Sequence, residues 1–417
     1  MTSRAVTVGL GAGYVAVSGL APLVLKTTPS DLDLYFWPSA ETAVAGHPLL
    51  VYSAQLHALY PNANGPLGLV PLVPIAKLAN GLGWAESLAG RATLVDAVVS
   101  LFVLLVAYQT ARFVAGARGG AFHPLVIACV LLAPAVWLGM LDYGHVEQPV
   151  ELCCVLLAIT CFVSRRNALT GIALGAAVLT RTIAGFCAIP LLLIPLFTHR
   201  FRAAITIALA IVITIAVVMT PFLLADEQAV VHSLLTYRST LPIGGGSFWI
   251  IARQTSWAGV IKGADVYIGG AVALVLVGFT LRRRPAVATT HAGVAGLLTV
   301  AACCFPLFSK TVFPYYLLEP YVFALLWWLA RPGNALNWRG LVPLLLTIDV
   351  FIVKIASAIP FTAAGAVTGV MSSAVIAAAI GLVTLDLVRF PGPAVHTSDR
   401  RLESFAQPAP AIREAPR

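Results

Sequence analysis

The chain is 417 residues long, 59% hydrophobic and only 10% charged, with a mean hydropathy of +0.91. That is too apolar and too poor in charge for a water-soluble domain of this size, so the lipid bilayer is its expected solvent. The net charge of +9 implies no nucleic-acid partner, because the basic residues fall in short clusters between apolar runs, as membrane topology is written. The seven cysteines lie in or beside those runs with no CxxC or His/Cys ligand spacing, which argues against zinc sites and disulfide staples.

Apolar runs able to span occur near 5–25, 92–111, 121–140, 149–164, 168–181, 183–197, 203–224, 267–281, 286–308, 317–330, 341–359 and 365–388. They predict an all-α polytopic protein of about twelve transmembrane helices. The first run is longer than a signal-peptide core and is read as a retained anchor. With the N-terminus in the cytoplasm, Arg4, Arg112, Arg118, Arg165, Arg166, Arg200, Arg202, Arg282 to Arg284, Arg331, Arg339 and Arg389 all fall on that side.

That register needs Gly65 to Gly83 to return to the outer face as a re-entrant or interfacial piece. It also needs 168–197 to form two short helices meeting near Arg181 and Thr182. External segments 26–91, Asp142 to Gln148, Asp226 to Tyr267 and Ser309 to Tyr316 then carry short interfacial helices and any chemistry. The predicted organisation is one transmembrane domain over 1–389 and a disordered cytoplasmic tail from Phe390 to Arg417, rich in Pro, Ala and Arg. Only five of the 26 basic residues are lysines, a bias that fits a GC-rich bacterial genome better than a eukaryotic one, and a bacterial plasma membrane is the expected location.

Six features converge on the outer face in this topology. Asp31 and Asp33 flank Leu32 just after the first run, either as a helix start capped by Ser30 or Asp31, or as a catalytic base. GHPL with His47, then LYPNANGPLGLVPL with Asn62 and Asn64, form an irregular segment whose polar side chains could bond a sugar. DYGHVEQ offers His145 and Glu147.

Arg181 is the only cation inside the 168–197 hairpin, and burying arginine in lipid costs at least about 2.5 kcal/mol, so a phosphate partner is expected. GGGSFW, ending at Trp249, is flanked by Arg238, Arg253 and Lys262. SKTVFPYYLLEPY sets Lys310 near Tyr315 and Tyr316, which read as substrate contacts or as members of an interfacial aromatic belt.

A membrane enzyme that hands a sugar from a lipid phosphate needs a carboxylate for the acceptor proton, cations for the leaving phosphate and a dry groove. The order of motifs resembles the GT-C superfamily of polytopic glycosyltransferases. The resemblance rests on the DxD, the GHPL turn, YPNANGPL, the Gly144-His145 pair, the hairpin GIALGAAVLTR and KTVFPYY. Within the superfamily the chain is similar to bacterial enzymes that use polyprenyl-phosphate mannose or arabinofuranose.

The resemblance implies inverting transfer of a sugar, mannose in the first instance, from polyprenyl phosphate to an extracytoplasmic glycolipid or glycan. By position, Asp31 or Asp33 would be the base, while Arg181 and Lys310, with Arg238 and Arg253, would hold the donor phosphate. His47, Asn62, Asn64, His145, Glu147, Trp249, Tyr315 and Tyr316 would contact substrate. No cofactor is expected: a DxD is compatible with a divalent ion, but polyprenyl phosphate carries less charge than a nucleotide diphosphate, and arginine or lysine can serve. The family hairpin often carries lysine where this chain has Arg181, which changes the grip on phosphate. A transporter or flippase of a lipid-linked sugar is the alternative, since broken helices and interior charges suit it as well.

Overall fold

A computed structural model describes residues 3–27, 29–56, 61–120, 124–244, 246–331, 337–359 and 362–389. The tail expected to be disordered, 390–417, lies outside the described residues. A backbone in hydrocarbon has no water to bond, so it satisfies its N–H and C=O groups within helices. Among the described residues the chain is all-α, with one isolated bridge between Gly244 and Thr311.

The helices are, in order, α1 (Ser3–Leu25), α2 (Trp37–Val44), α3 (Pro66–Leu69), α4 (Leu72–Leu82), α5 (Leu88–Arg118), α6 (Pro124–Leu131) and α7 (Pro134–Leu138). Next come α8 (Glu147–Val163), α9 (Asn167–Thr180), α10 (Gly185–Phe197), α11 (Phe201–Val231) and α12 (Tyr237–Thr240). The chain closes with α13 (Ala258–Arg283), α14 (His291–Phe308), α15 (Leu318–Leu329), α16 (Leu341–Ala358) and α17 (Ala363–Val388).

Each of the twelve predicted runs carries helix. Among the described residues, seven helical stretches are long and apolar enough for a full crossing: 88–118, 124–143, 201–240, 258–283, 291–308, 338–358 and 363–388. Of the other five runs, α1 has 23 residues, while α8, α9, α10 and α15 have 17, 14, 13 and 12, against about 20 for a straight span.

Three boundaries differ from expectation for identifiable reasons. The run near 121–140 breaks before Pro134, which has no N–H to donate, and continues in π-helical form through Tyr143. The run near 286–308 starts only at His291, where the Thr290 side chain caps the helix by accepting from Gly293 N. Helix α13 begins at Ala258 rather than near 267. Its charged first turns read as loop in the sequence, yet Asp265 is buried and paired there.

Central helix α14 is buried along most of its length and packs on α10, α13, α15 and α17. By contrast α11 is mostly exposed, with Ile205, Leu209, Val212, Ile213 and Val217 facing outward, as suits a helix bathed in lipid. Its inner side meets α9 closely. A Cβ on Gly171 would sit 2.4 Å from the Ile207 carbonyl oxygen, so only glycine lets the two backbones touch.

Helix directions give the bundle two distinct ends. The start of α5 meets the 31–36 segment through Arg91 and Asp33, while its last residue, Arg118, donates to Leu329 O at the end of α15. At that same far end Arg331 and Arg339 both pair with Asp386, and Arg284 donates to Val388 O. Glu147, Thr180, Ser309 and Tyr315 belong to the other end, where α8 and α15 start and α9 and α14 finish.

Candidate active site

Two π-helical stretches, Leu32–Phe36 and His232–Thr236, line one cleft, and a third, Gly139–Tyr143, ends two residues before its lining residue His145. A π turn carries one residue too many for the α ladder and so re-aims its neighbours, which is why such turns gather at functional sites. The cleft encloses about 840 Å³ including its open mouth. Asp31, Asn64, His145 and Arg181 line it, together with Arg238, Tyr315 and Tyr316. Tyr35, Ser233 and Tyr237 also face it, with Ile183, Leu234 and Leu241 as apolar wall. Asp31 is the only carboxylate among these lining residues.

Asp31 sits before the first π turn. Its Oδ1 accepts from Ser30 Oγ at 2.9 Å, and its Oδ2 lies 2.9 Å from His145 Nε2. The other ring nitrogen of His145 meets Glu147 Oε1. Gly144 makes this approach possible. It adopts φ +71°, and a Cβ there would fall 2.7 Å from Leu32 Cβ, pressing the 31–32 backbone away from the histidine. The ring of His145 lies against Tyr315, centroids 3.8 Å apart, with the edge of Phe36 on another side.

The hairpin breaks where the sequence places the break. Arg181 is extended, φ −143° and ψ 130°, between α9 and a short 3₁₀ turn at Thr182–Ala184. Its guanidinium is 4% exposed and meets three carboxylates: Glu319 at 2.8 Å, Glu151 at 3.4 Å and Glu147 at 3.8 Å. Glu147 and Glu151, four residues apart, share one face of α8. Gln148 Nε2 ties the same knot by donating to Tyr315 O and to Glu319. Arg181 therefore spends its donors on protein carboxylates, and Arg238 is the lining cation with more room for an outside anion. Its side chain is 26% exposed, with one acidic partner, Asp265 at 3.0 Å, and Ser309 Oγ at 2.7 Å.

The remaining residues singled out in the sequence stand elsewhere. Asp33 pairs with Arg91 at 3.0 Å outside the cleft lining; burial pushes its carboxyl above the usual range, with Arg91 opposing and Glu41 adding. His47 and Arg253 are exposed and do not line the cleft. Asn62 is buried as a turn former: its Oδ1 accepts from Asn64 N. Trp249 donates to Phe308 O at 2.7 Å and lies tilted against the Phe248 ring. Glu147 is buried behind His145.

Lys310 is fully buried beneath the cleft, its Nζ donating to Arg238 O and Lys262 O at 2.5 and 2.7 Å, its own N–H bonded to Asp265. Burial pushes its ammonium down to about 8, with Arg238 and Lys262 adding to the effect and Asp265 opposing it. The geometry makes it a pin that seats Arg238. Lys310→Met is expected to strand two carbonyls at about 1–3 kcal/mol each. The loss would register as a lower melting temperature in detergent before any change in ligand affinity.

Sequence reasoning passed over Glu151, Gln148 and Tyr237 and, while placing Glu319 near Lys310 and Tyr35 in a short helix after Asp31, gave those two no role in the site. Tyr35 and Tyr237 join hydroxyl to hydroxyl at 3.3 Å across the cleft wall. No family model matches the chain, and no curated protein matches it.

Proposed function

We propose that the protein is a membrane glycosyltransferase that moves one sugar, mannose in the first instance, from polyprenyl phosphate to a glycolipid or glycan acceptor with inversion at the anomeric carbon. One observation carries this. A single carboxylate, Asp31, shares a half-apolar, tyrosine-walled cleft with Arg238, a cation that still has access to solvent. Asp31 takes the proton of the acceptor hydroxyl as its oxygen attacks the anomeric carbon. The bond to the phosphate oxygen breaks, its electron pair leaves with the phosphate, and Arg238 holds that charge. A phosphate monoester anion is a good leaving group, so no general acid is required.

Charge asymmetry supports an outward-facing cleft. Arg118, Arg284, Arg331 and Arg339 cluster at the end of the bundle away from the cleft, the end that the positive-inside rule assigns to the cytoplasm. Purified protein given labelled polyprenyl-phosphate mannose and a mixed pool of membrane glycolipids should yield a labelled glycolipid of inverted anomeric configuration. Movement of the donor across vesicle leaflets with no glycosylated product would overturn the proposal in favour of a flippase.

A further inference from the structure

His145 stands between two carboxylates. Nε2 lies 2.9 Å from Asp31 Oδ2, and Nδ1 contacts Glu147 Oε1. An ionised carboxylate only accepts hydrogen bonds, and a neutral imidazole has one N–H and one lone pair, so a neutral ring would set a lone pair against one of the two acids. With both ring nitrogens protonated, both contacts become charge-assisted hydrogen bonds.

The other groups around the ring favour that state. Tyr315, from the turn before α15, offers an aromatic face 3.8 Å away, and Phe36 and Tyr143 close two further sides. Arg181, at the α9 break, lies on the far side of Glu147, 3.8 Å from its carboxylate, and does not face the ring; against burial, His145 first and Arg181 second hold that acid below its usual range. Burial alone would push the imidazole down, but Glu147 and Asp31 outweigh it and lift the group to about 9.

We propose that His145 is a fixed imidazolium bridge, a positioning residue that grips Asp31 Oδ2 and anchors it through Glu147 to the Arg181 cluster. Oδ1, which accepts from the Ser30 hydroxyl alone, then keeps a lone pair to take a proton. The catalytic half of this proposal rests on the transferase reading; the charge state does not. A group whose folded value is raised from 6.5 to about 9 contributes stability that is complete below about 6.5 and lost as pH rises through about 9.

The test has two arms. In the first, melting temperatures of the full-length protein and His145→Gln in detergent are compared from about pH 6 to about pH 10. The wild-type advantage should be greatest at the acid end and fade by the alkaline end. In Glu147→Gln, which keeps an acceptor but removes one of the two negative charges, the fade should move to lower pH. A difference between wild type and His145→Gln that is constant across the range would overturn the imidazolium.

In the second arm, sugar transfer from polyprenyl-phosphate mannose should fall ~10²-fold in kcat in His145→Gln with donor KM nearly unchanged, the size expected for a displaced base. The wild type's loss of rate as pH rises through about 9 should be missing from the variant. An unchanged kcat, or a rise in KM alone, would overturn the positioning role. Wild type that transfers no sugar would sink the transferase reading while leaving the stability result intact.

Discussion

Asp31→Asn is expected to lower kcat for sugar transfer by about 10²–10⁴-fold, the range for loss of a general base. The amide keeps the size of the side chain, and its oxygen still accepts from His145, so the fold and the donor contacts should survive. Asp33→Asn removes only the partner of Arg91, a pair whose side chains are 17% and 33% exposed. It should therefore cost at most about 1 kcal/mol of stability and leave kcat within a few-fold. Single-turnover assays with labelled polyprenyl-phosphate mannose, alongside thermal melts, separate the two effects. Normal transfer by the double variant would show that neither carboxylate is the base.

Much of this arrangement can be read from local pattern, because local pattern has local causes. Apolar runs become helices wherever the backbone must satisfy itself, and the break at Arg181 follows from a lone cation among apolar residues. Asp31, His145, Tyr315 and Tyr316 meet because each follows or precedes a run that ends on the same side of the bundle. Partner choice is another matter. Arg181 alone in an apolar hairpin suggests an external phosphate, but its charge is met by Glu151 and Glu319, 30 and 138 residues away in sequence. Each of those acids interrupts an apolar run, and the four-residue spacing of Glu147 and Glu151 puts both on one helix face, so a signal for an internal partner exists. Which cation they meet depends on how α8, α9 and α15 pack, and periodicity carries no information on that. Lys310 and Trp249 illustrate the same limit. Both have the chemistry of ligand contacts, and tertiary packing turns both toward backbone carbonyls instead.

Arg181→Met should be the most damaging substitution for the fold itself. It leaves Glu319, Glu151 and Glu147 crowded together with their shared cation gone. Stranding buried charge in this way costs about 3–5 kcal/mol, enough to lower the melting temperature by roughly 3–6 °C and to reduce the amount of protein recovered from membranes. Arg181→Lys should restore only part of the loss, since one ammonium cannot copy a fork that reaches Glu319 and Glu151 through Nη1 and Glu147 through Nε. Removing an acid together with the arginine separates a structural cation from a phosphate ligand. If the guanidinium serves mainly to neutralise its neighbours, Arg181→Met combined with Glu319→Gln should melt higher than Arg181→Met alone. If it serves mainly to hold the donor, the single variant should fold normally and raise donor KM, and the second substitution should bring no recovery. Buried geometry, three carboxylates and one cation with 4% exposure, favours the first result.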